Sequence, residues 1–264
     1  MWDLLIIQPL VNTMLLLYQL LGNNLTLTII ALTVLIRLIT FPLTWQSQVS
    51  QKKMQQLQQS DEWKAIQRKY ANNREALAQE QMKLWQREGI NPFGGCLPLL
   101  IQLPILIGLY QAITIAIAAS PAQLLSLSTN LYSFLPNVER LIPLDNRFLW
   151  MNLGLPDPYF VMPLLVVVTS WIQSKVMTPP ATDAQAAQMS QTMMLTTTLM
   201  FGYFSLTFAS GLSVYFVVSN ILGILQYGLT NPIDWRKLLT LDLKPAVAAP
   251  ATPEKSKDKP RKKK

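Results

Sequence analysis

Arg37 is where chemistry can start in this sequence: it stands inside the apolar run from Leu25 to Trp45 and carries a charge that cannot be discarded. A guanidinium at the centre of a membrane helix costs about 2.5–3.5 kcal/mol on insertion scales, so it needs water or a partner at that depth. Thr26, Thr33, Arg37, Thr40 and Thr44 follow one another by 7, 4, 3 and 4 residues, which puts all five on one side of an α-helix. Taken alone, an arginine about 12 Å from Trp45, at ~1.5 Å per residue, reads as a side chain snorkelling to the nearer interface. The full-length threonine stripe argues instead for the wall of a wet cavity.

Polar residues recur in the later apolar runs. Gln102 lies in the second, Thr169 and Gln173 share a face of the third, and Ser213, Asn220 and Tyr227 repeat every seven residues along the fifth. Singly, such residues serve helix packing. Collected with Arg37 they outline a groove of Thr33, Arg37, Thr40, Gln102, Gln173, Ser213 and Asn220. No aspartate or glutamate falls within any of these runs.

Absences narrow the chemistry further. The chain has no histidine, and Cys96 is its single cysteine. Ser-His and Cys-His nucleophiles, zinc hydrolase motifs, haem ligation by histidine and an internal disulfide are therefore excluded. No metal or cofactor is expected, and any activity must come from shape, polarity and charge rather than from catalysis.

The elements that must position these residues follow from bulk composition. Of 264 residues, 50% are hydrophobic and 14% charged, too apolar a balance for a soluble domain. The expected fold is an all-α integral membrane protein. Five transmembrane helices are expected at about 25–45, 96–118, 159–176, 191–208 and 212–229, each near the length that crosses ~30 Å of hydrocarbon. Residues 1–24 carry apolar positions at helical spacing interrupted by Asp3, Gln8, Asn12 and Thr13. They read as an amphipathic helix on the extracytoplasmic surface, with a true span as the competing reading. No basic stretch precedes the apolar part and no cleavage site follows, so a signal peptide is not expected. Residues 46–90 are polar and helix-favouring, a helical hairpin broken near Asn72-Asn73. Residues 120–158, rich in proline, read as loop-like, and Ala209-Ser210-Gly211 as a tight turn between the last two spans.

Of the 22 basic residues, 18 lie either between Lys52 and Arg87 or from Arg236 onwards. The positive-inside rule puts both regions in the cytoplasm, with the N-terminus outside. The tail 231–264 is basic and reads as disordered from about 245. It suits a lipid surface, with ribosomal RNA as the alternative partner.

Four stretches, in this order, carry a resemblance to a known family. They are Val34-Leu-Ile-Arg-Leu-Ile-Thr-Phe-Pro-Leu43, Gly89-Ile-Asn-Pro-Phe-Gly-Gly-Cys-Leu-Pro-Leu-Leu-Ile-Gln-Leu-Pro-Ile-Leu-Ile-Gly-Leu-Tyr110, Asp157-Pro-Tyr-Phe-Val-Met-Pro-Leu-Leu-Val166 and Ser210-Gly-Leu-Ser-Val-Tyr-Phe-Val-Val-Ser-Asn220. The chain resembles the YidC/Oxa1/Alb3 membrane protein insertases. The resemblance implies five core helices around a hydrophilic groove open to cytoplasm and lipid but closed outside, with Arg37, Gln102 and Gln173 at the family's polar positions. It also implies a cytoplasmic hairpin at 46–90 and a greasy slide on spans three and five, with Tyr215 and Phe216 its aromatic residues. Phe216 departs from the family's usual Trp or Tyr, and Ala209 from a frequent Pro. The implied function is that of an insertase and chaperone of a bacterial inner membrane, whose partners are nascent membrane proteins, the bilayer, the ribosome through the tail, and a Sec translocon. A secondary transporter and a non-catalytic assembly scaffold are the rival readings. The transporter would call for two repeated halves and an acidic coupling residue, and neither is visible.

Overall fold

The computed structural model describes residues 1–71, 73–90, 97–117, 120–132, 144–178 and 184–230. Asn72, Cys96, Arg140, the Pro179-Pro180 loop and the basic tail lie outside the described residues. Within them the fold is almost wholly helical. The helices are α1 (Gln8–Leu20, entered through a π-helical turn Asp3–Ile7), α2 (Leu25–Gln59), α3 (Asp61–Lys69), α4 (Arg74–Arg87), α5 (Leu97–Ile117), α6 (Pro121–Asn130), α7 (Val161–Met177), α8 (Ala184–Thr207) and α9 (Ser210–Thr230). One antiparallel pair joins them, β1 (Arg147–Phe148) with β2 (Met151–Asn152).

Among the described residues, four helical stretches are long and apolar enough to cross a membrane: Asp3–Leu20, Leu25–Gln59, Leu100–Ile117 and Ser210–Leu229. α7 is apolar but shorter, at 17 residues. α8, with 24 residues, has glutamines and threonines diluting its apolar run.

The boundary that composition places at Trp45 is not a helix end. Asn24 caps the start of α2 through its side chain to the Leu27 N–H, after Gly22 and Asn23 reverse the chain at φ 69° and 60°. From Gln46 the residues turn polar but remain good helix formers, and nothing stops the helix before Ser60. Its 35 residues make a rod of about 52 Å at ~1.5 Å per residue, so its polar end stands clear of a ~30 Å hydrocarbon layer. Ser60 then caps α3 and Asn73 caps α4, so the hairpin turns beside Asn73 as its sequence suggests. Trp63 and Trp85 stack across the hairpin at 5.9 Å between ring centres, and Arg87 reaches back to Glu62 with an Nη2···Oε2 contact of 2.5 Å.

Residues 1–24 differ from an amphipathic helix on a surface. Ile7, Val11, Met14, Leu15 and Tyr18 are buried against the bundle, while Leu4, Leu5, Leu16 and Leu20 are exposed on the opposite side. Both faces are apolar. The polar Asn12 points inward, donating to the Asn130 carbonyl at 2.8 Å and accepting from the Tyr132 N–H at 2.8 Å. The described parts of 120–158 hold more structure than a loop: Ser120 and Gln123 form a reciprocal capping box for α6, and the short β pair precedes α7.

The core runs through Ile29, Leu32, Leu109, Ile113, Leu127, Leu153 and Leu212, all at most 1% exposed. α7 lies against both α8 and α9, and α9 lies along α2. α5 touches α2 and α9 only lightly. That loose junction is where a cavity can open.

Candidate functional site

Arg37 reaches from α2 to α9. Its Nη2 donates to the Ser219 carbonyl and hydroxyl, each at 2.7 Å, and its Nε reaches the same hydroxyl at 3.2 Å. The ion pairs among the described residues are Lys83 with Glu80 and Arg87 with Glu62 and Glu88. Arg37 thus has a hydrogen-bonded seat but no counter-charge among them. In an apolar surround an unpaired cation attracts an incoming negative group far more strongly than a surface arginine does.

Beside it, Thr33, Ile36, Arg37, Thr40 and Thr44 of α2 face Ile101, Gln102 and Ile105 of α5 and Tyr215 of α9 around a cavity. The space that water centres can occupy is about 40 Å³, room for about three waters at ~10–15 Å³ each. The threonines are already satisfied by their own helix: Thr33 donates to the Ile29 carbonyl at 2.6 Å, Thr40 to Ile36 at 2.8 Å and Thr44 to Phe41 at 2.9 Å. What they leave free are oxygen lone pairs. Pro42 lacks an N–H, so the Leu38 carbonyl has no i+4 donor. The wall therefore offers acceptors, with the guanidinium as its strong donor.

The expected groove residues do not all converge. Thr33, Arg37, Thr40 and Gln102 line the cavity. The Gln102 Nε2 donates to the Tyr215 hydroxyl at 2.6 Å, and Tyr215 is 2% exposed. Gln173 sits on the far side of Arg37: a Cβ built on Gly223 would lie 2.3 Å from its Nε2 and 3.3 Å from the Arg37 Nη2. Asn220 turns away from Arg37, donating to the hydroxyls of Thr169 at 3.0 Å and Ser170 at 2.8 Å and so tying α9 to α7. Ser213 shares a 2.7 Å hydrogen bond with Ser205 of α8.

Tyr215 and Phe216 both face inward. Phe216 is 2% exposed, with its ring centre 4.9 Å from that of Phe201. The apolar side chains that face outward on α7 and α9 include Leu164, Leu165 and Val168 of α7 and Ile221, Leu225 and Leu229 of α9. Sequence reasoning missed Ser219, Gly223 and Gln226, whose Nε2 donates to the Thr44 hydroxyl at 2.7 Å. Ser219, Gly223 and Gln226 follow one another by four and three residues along α9, a helical stripe that faces the stripe of α2.

Above the cavity the packing is dry. Ile29 lies eight residues from Arg37, about 12 Å along the helix at ~1.5 Å per residue, and Leu32, Leu109, Ile113 and Leu212 fill the space around it.

The family described as 60Kd inner membrane protein matches residues 16–234. The chain is 34% identical over 240 residues to the membrane protein insertase MisCA of Bacillus subtilis, covering 89% of this chain and 81% of that one. It is 34% identical over 226 residues to the membrane protein insertase YidC of Geobacter sulfurreducens, covering 85% of this chain but 37% of that longer protein. Among solved structures it is similar to one described as an active YidC insertase crystal structure with the first transmembrane domain resolved. That likeness has a TM-score of 0.51 at 24% identity over 82% of this chain and 43% of the other, a likeness of fold.

Proposed function

The chain belongs to the 60Kd inner membrane protein family, and from that premise we propose that it is a membrane protein insertase and chaperone. It takes apolar segments of nascent membrane proteins from the cytoplasmic side and releases them into the bilayer. Passing a client's polar tail through hydrocarbon strips water from its charges and backbone groups, each at a cost of several kcal/mol. A polar cavity at mid-depth shortens the dry path, and the client's apolar segment then partitions into lipid by the hydrophobic effect, with no bond made or broken. The observation that carries this reading is Arg37, seated on Ser219 beside the threonine-lined cavity, with no counter-charge among the described residues.

In this reading Arg37, Thr33, Thr40 and Gln102 meet the client tail. Gln173 flanks Arg37, while Asn220 and Ser213 hold α9 to α7 and α8 rather than touching the client. Residues 25–230 form the insertase core of five spans, with α3 and α4 as its cytoplasmic arm and residues 1–24 at the extracytoplasmic side. The N-terminus lies outside, and the basic tail 231–264 lies in the cytoplasm near anionic lipid or the ribosome. A Sec translocon is a further partner to test.

The experiment is insertion of clients with acidic or neutral tails into vesicles carrying the purified chain. Arg37→Ala impairs the acidic-tailed clients, and Arg37→Lys keeps substantial insertion. Equal insertion of acidic-tailed clients by Arg37→Ala and the native chain would refute the electrostatic part.

A further inference from the structure

A second cavity lies where the N-terminal helix, α5 and α6 meet, and it shares no lining residue with the cavity beside Arg37. Asp3 of the π-helical turn faces Gln111 and Thr114 of α5 and Ser126 and Asn130 of α6 around it. Water centres can occupy about 290 Å³ of this space, against about 40 Å³ beside Arg37. Its walls are held by close packing. A Cβ on Gly108 would stand 2.5 Å from the Ile6 side chain and 3.0 Å from Leu10, so glycine lets the N-terminal helix lie against α5. Across the same junction the Trp2 indole donates to the Gln111 Oε1 at 2.9 Å.

The polar groups in the cavity complement a zwitterion. Asp3 is the only charged residue in the lining, and it forms no ion pair among the described residues, the N-terminal amine included. The Asn130 Nδ2 donates to the Ser126 carbonyl at 2.7 Å, which leaves its Oδ1 and the Ser126 hydroxyl free beside the carboxylate. The Gln111 Oε1 is taken by Trp2, which leaves its Nε2 free to donate. Acceptors for a cation and a donor for an anion thus share one space.

Depth and surroundings point to a lipid as the source of that zwitterion. The 21 residues of α5 make about 31 Å at ~1.5 Å per residue, close to the ~30 Å hydrocarbon thickness, so its ends lie near the two interfaces. Thr114 is three residues from the Ile117 end, about 4.5 Å, at the level of headgroups rather than of chain ends. The elements that carry Asp3 and Ser126 also expose Leu4, Leu5, Leu124 and Leu125, apolar surface that suits acyl chains.

We propose that this cavity binds the headgroup of an amine-bearing phospholipid, with its primary ammonium on the Asp3 carboxylate and its phosphate on the Gln111 amide. A primary ammonium offers three N–H donors, a choline offers none, and a glycerol headgroup brings no positive charge to Asp3. The site is independent of client insertion and of which way round the chain sits in the bilayer.

The test is native mass spectrometry of the full chain from micelles holding equal amounts of phosphatidylethanolamine, phosphatidylcholine and phosphatidylglycerol with the same acyl chains. The ethanolamine lipid is retained about fivefold more than either other lipid, the scale of a charge pair open to solvent. Asp3→Asn lowers it to the level of the choline lipid, and Asp3→Glu keeps the preference. Ser126→Lys, which puts an ammonium of the chain's own into the cavity, also abolishes the preference and decides the matter if Asp3→Asn is not monodisperse. Equal retention of the three lipids by the native chain overturns the proposal, as does a preference that survives these variants. Full displacement of the lipid by glycerophosphoethanolamine, the same headgroup without chains, overturns it in favour of a soluble amine.

Discussion

Gly223→Ala is the sharpest perturbation of the Arg37 site, because it adds one methyl where two side chains from different helices meet. The added carbon would lie 2.3 Å from the Gln173 Nε2, more than 1 Å inside ordinary contact, and 3.3 Å from the Arg37 Nη2. The nearest atom is the end of a flexible side chain, so the amide swings aside and the backbone stays. Overpacking costs roughly 1–3 kcal/mol, and a yielding partner puts this case near the low end. Alanine in place of a mid-helix glycine returns about 0.5–1 kcal/mol. Net stability should therefore change little, while the amide is expelled from beside the guanidinium. Acidic-tailed clients should insert roughly fivefold more slowly, the equivalent of about 1 kcal/mol. The assay is the initial rate of insertion into vesicles for Gly223→Ala, Gln173→Ala and the double variant, with thermal unfolding in detergent alongside. The double variant should be no slower than Gln173→Ala, since the methyl then has nothing to displace. Native rates in Gly223→Ala, or a loss that persists undiminished once Gln173 is gone, would refute the reasoning.

Ser219→Ala removes the hydroxyl under the guanidinium but keeps the backbone carbonyl, and should cost about 1–2 kcal/mol of stability in refolding from denaturing detergent. Burial alone would raise the Asp157 pKa, but the Met162 and Tyr159 N–H groups and the Trp150 indole hold it below the ordinary carboxylate range. Its stabilising effect is then complete above the unfolded value of about 3.9 and lost as pH falls through the lower folded value, so acid titration of unfolding should lose that limb in Asp157→Asn. Trp63→Ala should cost about 3–5 kcal/mol within the hairpin, read as protease cleavage or hydrogen exchange confined to α3 and α4, with α7 and α9 unchanged. Glu62→Gln should leave the unfolding midpoint of the chain where it is, because its pairing with Arg87 is exposed to solvent.

The α2 half of the site is legible in sequence because it lies on one helix: spacing alone aligns Thr33, Arg37, Thr40 and Thr44. The α9 half is not, since which residues of α9 oppose Arg37 depends on an interhelical register that no local pattern encodes. Asn220 looks equivalent to Ser219 by polarity, yet one position of helical rotation sends it to α7. Ser213 and Asn220 share the seven-residue repeat but bond to α8 and α7 rather than lining the cavity. The end of α2 is misplaced for another reason: polarity changes at Gln46, but polarity says where lipid stops, and only Ser60 says where the helix stops. The Gly211 and Ser210 N–H groups donate to the Leu153 and Leu155 carbonyls, backbone hydrogen bonds between distant segments that side-chain types barely mark.

The threonines of α2 carry a kinetic consequence. At Thr33, Thr40 and Thr44 the hydroxyl proton is committed to a carbonyl of its own helix, so an empty wall leaves none of these donors stranded and a vacating polypeptide exposes no new deficit there. Away from Arg37, such a surface gives a passenger no unsatisfied donor to hold it. A passenger beyond the reach of Arg37 can therefore move along the threonine wall in small steps, without a hydrogen bond to break at each one.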